Sequence, residues 1–95
     1  MGFKNLQDYK GRFPSSWEEF GPGNKIQYAL FAEGDKLTKT KILELTEISN
    51  EEFTKGIEFL LNTKEVNFIE DSNQRKYYLE KESRKVLDDF YDFID

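Results

Sequence analysis

Between Lys39 and Glu80 the chain spells out two helices and a hairpin in immediate succession, and this stretch restricts the fold most tightly. The segment KTKILELTEI places Ile42, Leu45 and Ile48 on one helical face. The segment SNEEFTKGIEFLLNTKEV does the same for Phe53, Ile57, Leu60 and Leu61, so a helix is expected over about 50–62. Between the two faces, Ser49 and Glu52 have the Ser-x-x-Glu spacing in which each side chain satisfies the other residue's free backbone donor. A helix therefore restarts about one turn after the previous one ends. A strand-like run from Val66 to Glu70, a polar turn at Asp71-Ser72-Asn73-Gln74 and a second run from Arg75 to Leu79 complete the pattern.

The 95 residues are enough for one domain with one modest core. Apolar residues make up only 37% of the chain, but 16% are aromatic, and large rings bury much area per residue. The sequence contains no cysteine and no histidine. Disulfides, thiolate or imidazole zinc sites, Ser-His-Asp triads and Cys-His dyads are thereby excluded. The six glycines match neither a P-loop nor a dinucleotide fingerprint, and the acids are interleaved with lysines as on solvated helix faces. No catalytic residue, cofactor or metal site is expected, and the chain does not read as an enzyme. No run approaches the roughly 18 apolar residues of a membrane span, and Phe3, Leu6 and Tyr9 are separated by polar residues, unlike a signal peptide. A soluble, cytoplasmic protein is the default. The Lys, Glu, Ile, Phe and Asn richness fits an AT-rich genome, whether of a low-GC bacterium, an archaeon or a virus working in its host's cytoplasm.

Residues 1–23 read as an aromatic extension. Phe3, Leu6, Tyr9 and Phe13 stripe a short helix broken by Gly11 and Pro14, a helical turn follows at Trp17-Glu18-Glu19-Phe20, and Gly21-Pro22-Gly23 ends it. Either the segment folds back onto the core or it docks on a partner. Asn24 is placed to cap a helix over 25–33, with Ile26, Ala29 and Leu30 inward and Gly34 as its stop. Leu37 falls in a short extended link, and Thr38 or Thr40 caps the next helix. A last helix covers about 80–94.

The order helix, turn, helix, hairpin resembles the winged helix-turn-helix family of DNA-binding domains, in the form found in small prokaryotic, archaeal or viral regulators. The resemblance implies an α+β, mainly helical fold. It consists of a winged helix-turn-helix core over 24–80, with three helices and a β-hairpin wing at 66–79. The aromatic extension precedes this core, and a C-terminal helix over 81–95 follows it. Leu37 would supply a third, minor strand.

The resemblance also implies that the exposed side of helix 50–62 enters the major groove of double-stranded DNA while the wing follows the backbone or minor groove. The matching positions are Asn50, Thr54 and Lys55 on the helix. Lys39 and Lys41 lie at the preceding helix start, and Asn73, Arg75 and Lys76 at the wing. A hydroxyl, an amide and cations suit base edges and phosphates. The helix itself, with Glu51, Glu52 and Glu58 against Lys55, departs from the pattern by carrying a formal −2, and the whole chain carries −5.

In the last helix Val86, Phe90 and Phe93 form one stripe, and Leu87, Tyr91 and Ile94 another. Together they exceed one packing face. Family members commonly dimerise through a terminal helix, so a homodimer interface at Val86, Leu87, Phe90, Tyr91 and Ile94 is one expectation, and an intramolecular core helix the other. Two functions fit. One is a sequence-specific DNA-binding transcriptional regulator. The alternative is a winged-helix protein-interaction module, for example an acidic viral or mobile-element inhibitor or adaptor. The first needs a continuous positive strip across helix and wing. In the second, Glu51 and Glu58 interrupt that strip.

Overall fold

The computed structural model describes residues 5–33 and 36–94, with side chains as far as Asp89. Among the described residues six helices and three strands follow in order: α1 (Leu6–Arg12), α2 (Pro14–Glu19), α3 (Pro22–Glu33), β1 (Leu37–Thr38), α4 (Lys39–Thr46), α5 (Asn50–Asn62), β2 (Val66–Asp71), β3 (Gln74–Leu79) and α6 (Lys81–Ile94). The chain is a winged helix. Helices α3, α4 and α5 form its core, and β2 and β3 form its wing. The minor strand at Leu37 is present: β1 lies against β3 with Leu37 opposite Tyr77, giving an antiparallel sheet in the order β1-β3-β2.

The core is built around α3, where Ile26, Ala29, Leu30 and Phe31 are fully buried. Phe53, Ile57 and Leu60 of α5 close on them, joined by Ile42 of α4 and by Val66, Tyr77 and Leu79 of the sheet. Of the two adjacent tyrosines in β3, Tyr77 goes into the core, its ring edge-on to Phe53 at 5.7 Å, and Tyr78 stays half-buried. The wing turns on Ser72 and Asn73, both left-handed (φ 51° and 65°). That backbone matches the twist of the flanking strands and favours Asn. At the other end Arg84 of α6 donates to the last carbonyls of α3, at 3.0 Å to Leu30 O and 3.3 Å to Phe31 O. A cation thus satisfies acceptors that the helix end leaves open.

Four local expectations are corrected. Gly11 does not break α1, because the Asn5 side chain caps the helix and Leu6 and Tyr9 are buried, which outweighs a glycine penalty of about 1 kcal/mol. Gly21-Pro22-Gly23 is a start and not a stop: Pro22 opens α3, where its missing N–H costs nothing. Asn24 is therefore inside the helix and caps nothing. Ile48 is buried but lies beyond α4, which ends at Thr46 and turns through Glu47 at φ 61°. The second buried position of α4 is Thr46, whose hydroxyl donates to Ile42 O at 2.7 Å. Gly34 and Phe3 lie outside the described residues.

The extension lies on the chain's own core. Tyr9 stacks at 5.3 Å on Tyr28 of α3, Phe20 stacks on the same ring at 4.7 Å, and Trp17 meets Phe20 edge-on at 6.1 Å. Lys10 reaches the end of α4, 3.4 Å from Leu45 O and 3.2 Å from the Glu47 carboxylate.

Candidate nucleic-acid interface

The start of α5 is fixed by the reciprocal cap. Ser49 Oγ accepts from Glu52 N at 3.1 Å, and Glu52 Oε1 accepts from Ser49 N at 3.0 Å. Hydrogen bonding to the Glu52 carboxylate, from the Ser49 backbone N–H first and from the Ser49 side chain second, holds that carboxyl below its ordinary value of 4.5. The folded chain binds this proton less tightly than the unfolded chain. The resulting stabilisation is complete above the unfolded value and is lost as pH falls through the lower folded one. Ser49→Ala is expected to cost about 1 kcal/mol at neutral pH. Urea titrations of Ser49→Ala and Glu52→Gln should both show a weaker dependence on pH below 4.5 than the parent chain.

With Phe53, Gly56, Ile57 and Leu60 buried, α5 presents Asn50, Glu51, Thr54, Lys55 and Glu58 to solvent. Lys55 Nζ lies 3.4 Å from Glu51 Oε1. The Thr54 hydroxyl donates to Asn50 O at 3.0 Å. In this conformation Thr54 offers a ligand lone pairs and a methyl group, not a proton. Glu51 and Glu58 interrupt any positive strip along the helix.

Wing and helix α4 meet at a notch. Thr38, Lys39, Thr40, Gln74, Arg75 and Tyr77 line a cavity of about 520 Å³ at the start of α4. Thr38 Oγ1 caps that helix by accepting from Lys41 N at 3.2 Å. Lys39 Nζ is 5.3 Å from the centre of the Phe53 ring. The Arg75 guanidinium lies over Phe68, 4.1 Å from the ring centre, and its Nε is 2.9 Å from Glu70 Oε1. Hydrogen bonds to Glu70 first and to Tyr77 second raise its already high pKa.

Of the residues singled out in the sequence, Lys39 and Arg75 are brought together in this notch. Lys41 stands apart on α4, 3.7 Å from Glu44, and Lys76 is on the wing, 3.6 Å from Asp71. Asn73 is exposed at the hairpin tip. Sequence reasoning missed Thr40 and Tyr77 as notch walls and missed the carboxylates Glu70 and Asp71 as partners of the wing cations. For Glu70 and Arg75 the mirror placement about the turn was the available signal, since the two lie opposite each other in the register, whereas Lys76 lies opposite Ile69 and meets Asp71 diagonally. On α6, Leu87 is buried and Val86 is 66% exposed, while the side chains of Phe90, Tyr91 and Ile94 lie outside those described. Among the described residues no acidic group is arranged to hold a metal, and no helix is long and apolar enough to cross a membrane.

The fold is similar to those of solved MarR-family transcriptional regulators. One from Silicibacter pomeroyi aligns over 84% of this chain and 55% of its own, with a TM-score of 0.63 and 14% identity. Another, from Silicibacter pomeroyi DSS-3, aligns over 90% and 61%, with a TM-score of 0.63 and 13% identity. MepR of S. aureus, in its DNA-binding conformation, aligns over 95% and 68%, with a TM-score of 0.61 and 17% identity. The chain therefore spans 55–61% of the length of the two Silicibacter regulators. No protein-family model matches the sequence, and no curated protein does.

Proposed function

We propose that this chain is a sequence-specific DNA-binding protein that acts as a transcriptional regulator in the cytoplasm. The observation that carries the reading is the convergence of Lys39 and Arg75 on one notch beside α5, where the start of α4 adds its own positive end. A phosphate seated there aligns the duplex, and α5 then lies along the major groove. Asn50, Thr54 and Lys55 face the groove, while Lys41, Asn73 and Lys76 extend the backbone contacts. The likeness to MarR-family regulators supports this use of the fold. The acting species is a homodimer joined through α6, on which Val86 stands exposed. Two copies of α5 then address successive half-sites.

Selection from a random duplex pool tests the proposal. It is expected to recover a palindromic motif. With about four phosphates neutralised by each protomer, affinity of the dimer should fall roughly ten-thousandfold between about 50 and 200 mM salt. Replacing both Lys39 and Arg75 by alanine removes about four contacts from the dimer and should lower the slope by about four counterions. Failure to enrich any motif even at low salt would reject the proposal.

A second reading, a protein-interaction module, has one observation in its favour. Glu51 and Glu58 interrupt the positive strip, and Phe59 on the same helix is 60% exposed. A chain that enriches no DNA but loses a bound protein on Phe59→Ala would establish it.

A further inference from the structure

We infer that Glu51 and Lys55 act as one unit that makes α5 selective for a C·G pair. The inference rests on the DNA-binding reading and concerns which bases the same helix accepts. Along the outermost line of α5 run Glu51, Lys55, Glu58 and Asn62, spaced by four, three and four residues, opposite the buried Phe53, Gly56, Ile57 and Leu60. Two nearby groups are already engaged: Glu52 closes the cap on Ser49, and the Thr54 hydroxyl proton goes to Asn50 O. Beside the exposed Asn50, the charged side chains that project at the helix start are Glu51 and Lys55, 80% and 73% exposed and 3.4 Å apart.

A carboxylate has acceptors only, so in a major groove it needs an amino group opposite it. Cytosine N4 and adenine N6 supply one. Thymine O4 and guanine O6 repel it. Lys55, held beside it, has donors only and is best placed on guanine, which offers two adjacent acceptors. An acceptor and a donor clamped side by side match the amino group of cytosine and the acceptors of guanine on one pair or on adjoining pairs. The negative charge that weakens attraction to every duplex thereby becomes the means of discrimination. Wrong pairs desolvate Glu51 and offer it no base amino group to accept from. The acid on the reading face thus trades non-specific affinity for selectivity.

The test repeats the duplex selection with the parent chain, Glu51→Gln, Glu51→Ala and Lys55→Ala, each checked for an unchanged melting temperature. The parent motif should require C·G at one position of each half-site. Removing the carboxylate should lower discrimination at that position by about tenfold or more. Glutamine, which pairs with adenine, should shift the preference toward A·T. Both Glu51 variants should bind random duplex several-fold more tightly, as the loss of one negative charge requires. Lys55→Ala should relax the guanine requirement. A parent motif without a C·G requirement, or one that survives both Glu51 variants unchanged, overturns the inference while leaving DNA binding intact. Failure of the parent chain to enrich any motif overturns both.

Discussion

Trp17→Ala is expected to remove about 3–5 kcal/mol of folding stability, the usual cost of emptying a large aromatic site. Trp17 is only 7% exposed although it sits in a six-residue helix outside the three-helix core. Its ring is closed in by Phe20, and Lys10 and Lys25 place their ammonium groups 5.3 and 5.6 Å from its centre. Those lysines come from α1 and α3, so the ring is the point at which the extension, the first core helix and the end of α4 are tied together. Lys10 completes the tie through Leu45 O and Glu47. A domain of this size has roughly 5–15 kcal/mol in total, so the loss is a large fraction of it. The melting temperature should fall by more than about 12 °C. Trp17→Phe, which keeps most of the ring contact, should lose less than half as much. A loss below about 1 kcal/mol in urea titrations would mean that residues 6–20 do not pack on their own core in solution, and the extension would then be free to serve a partner.

What the sequence reveals and what it hides divide along the range of the interactions. Helix α5 is readable nearly to the residue, because its cap is a four-residue motif and its buried face recurs at helical spacing. The hairpin is readable because its turn is a run of four polar residues, Asp71 to Gln74, between two strand-like segments. Gly21-Pro22-Gly23 misleads because its meaning depends on a distant neighbour. Locally it is three helix-unfavourable residues in a row, but Gly23 lies where α3 passes closest to Gly56, and Pro22 is harmless at a helix start. Thr46 is missed because a polar residue takes a core position by donating to its own helix. The interface is half-legible. Lys39 and Arg75 can be named from charge and position, yet their convergence follows from β1 pairing with β3, a register that no local pattern encodes. The Glu51–Lys55 pair needs only helical spacing, whereas Glu70 with Arg75 needs the exact turn.

Gly56 carries the second large prediction, and its sign runs against helix propensity. Alanine at an ordinary helix-interior glycine stabilises by about 0.8–1.0 kcal/mol. A methyl group at 56 would instead stand 2.8 Å from Gly23 N, 2.9 Å from the Pro22 carbonyl carbon and 2.9 Å from Ile26 Cδ1. Two of those atoms are backbone at the start of α3, so relief requires the two helices to separate. Gly56→Ala is expected to cost about 1–2 kcal/mol and Gly56→Val about 3 kcal/mol or more, as measured by urea denaturation. Gly23→Ala is the control, because its methyl group meets nothing nearer than 3.7 Å and should be tolerated or slightly stabilising. Equal stability of Gly56→Ala and the parent would show that the helices cross less closely than described. The same contact also sets how α5 is aimed. A variant that still folds with α3 and α5 pushed apart shifts Glu51 and Lys55 relative to the notch at Lys39 and Arg75. Gly56→Ala should therefore weaken selection of a DNA motif more than its loss of stability alone accounts for.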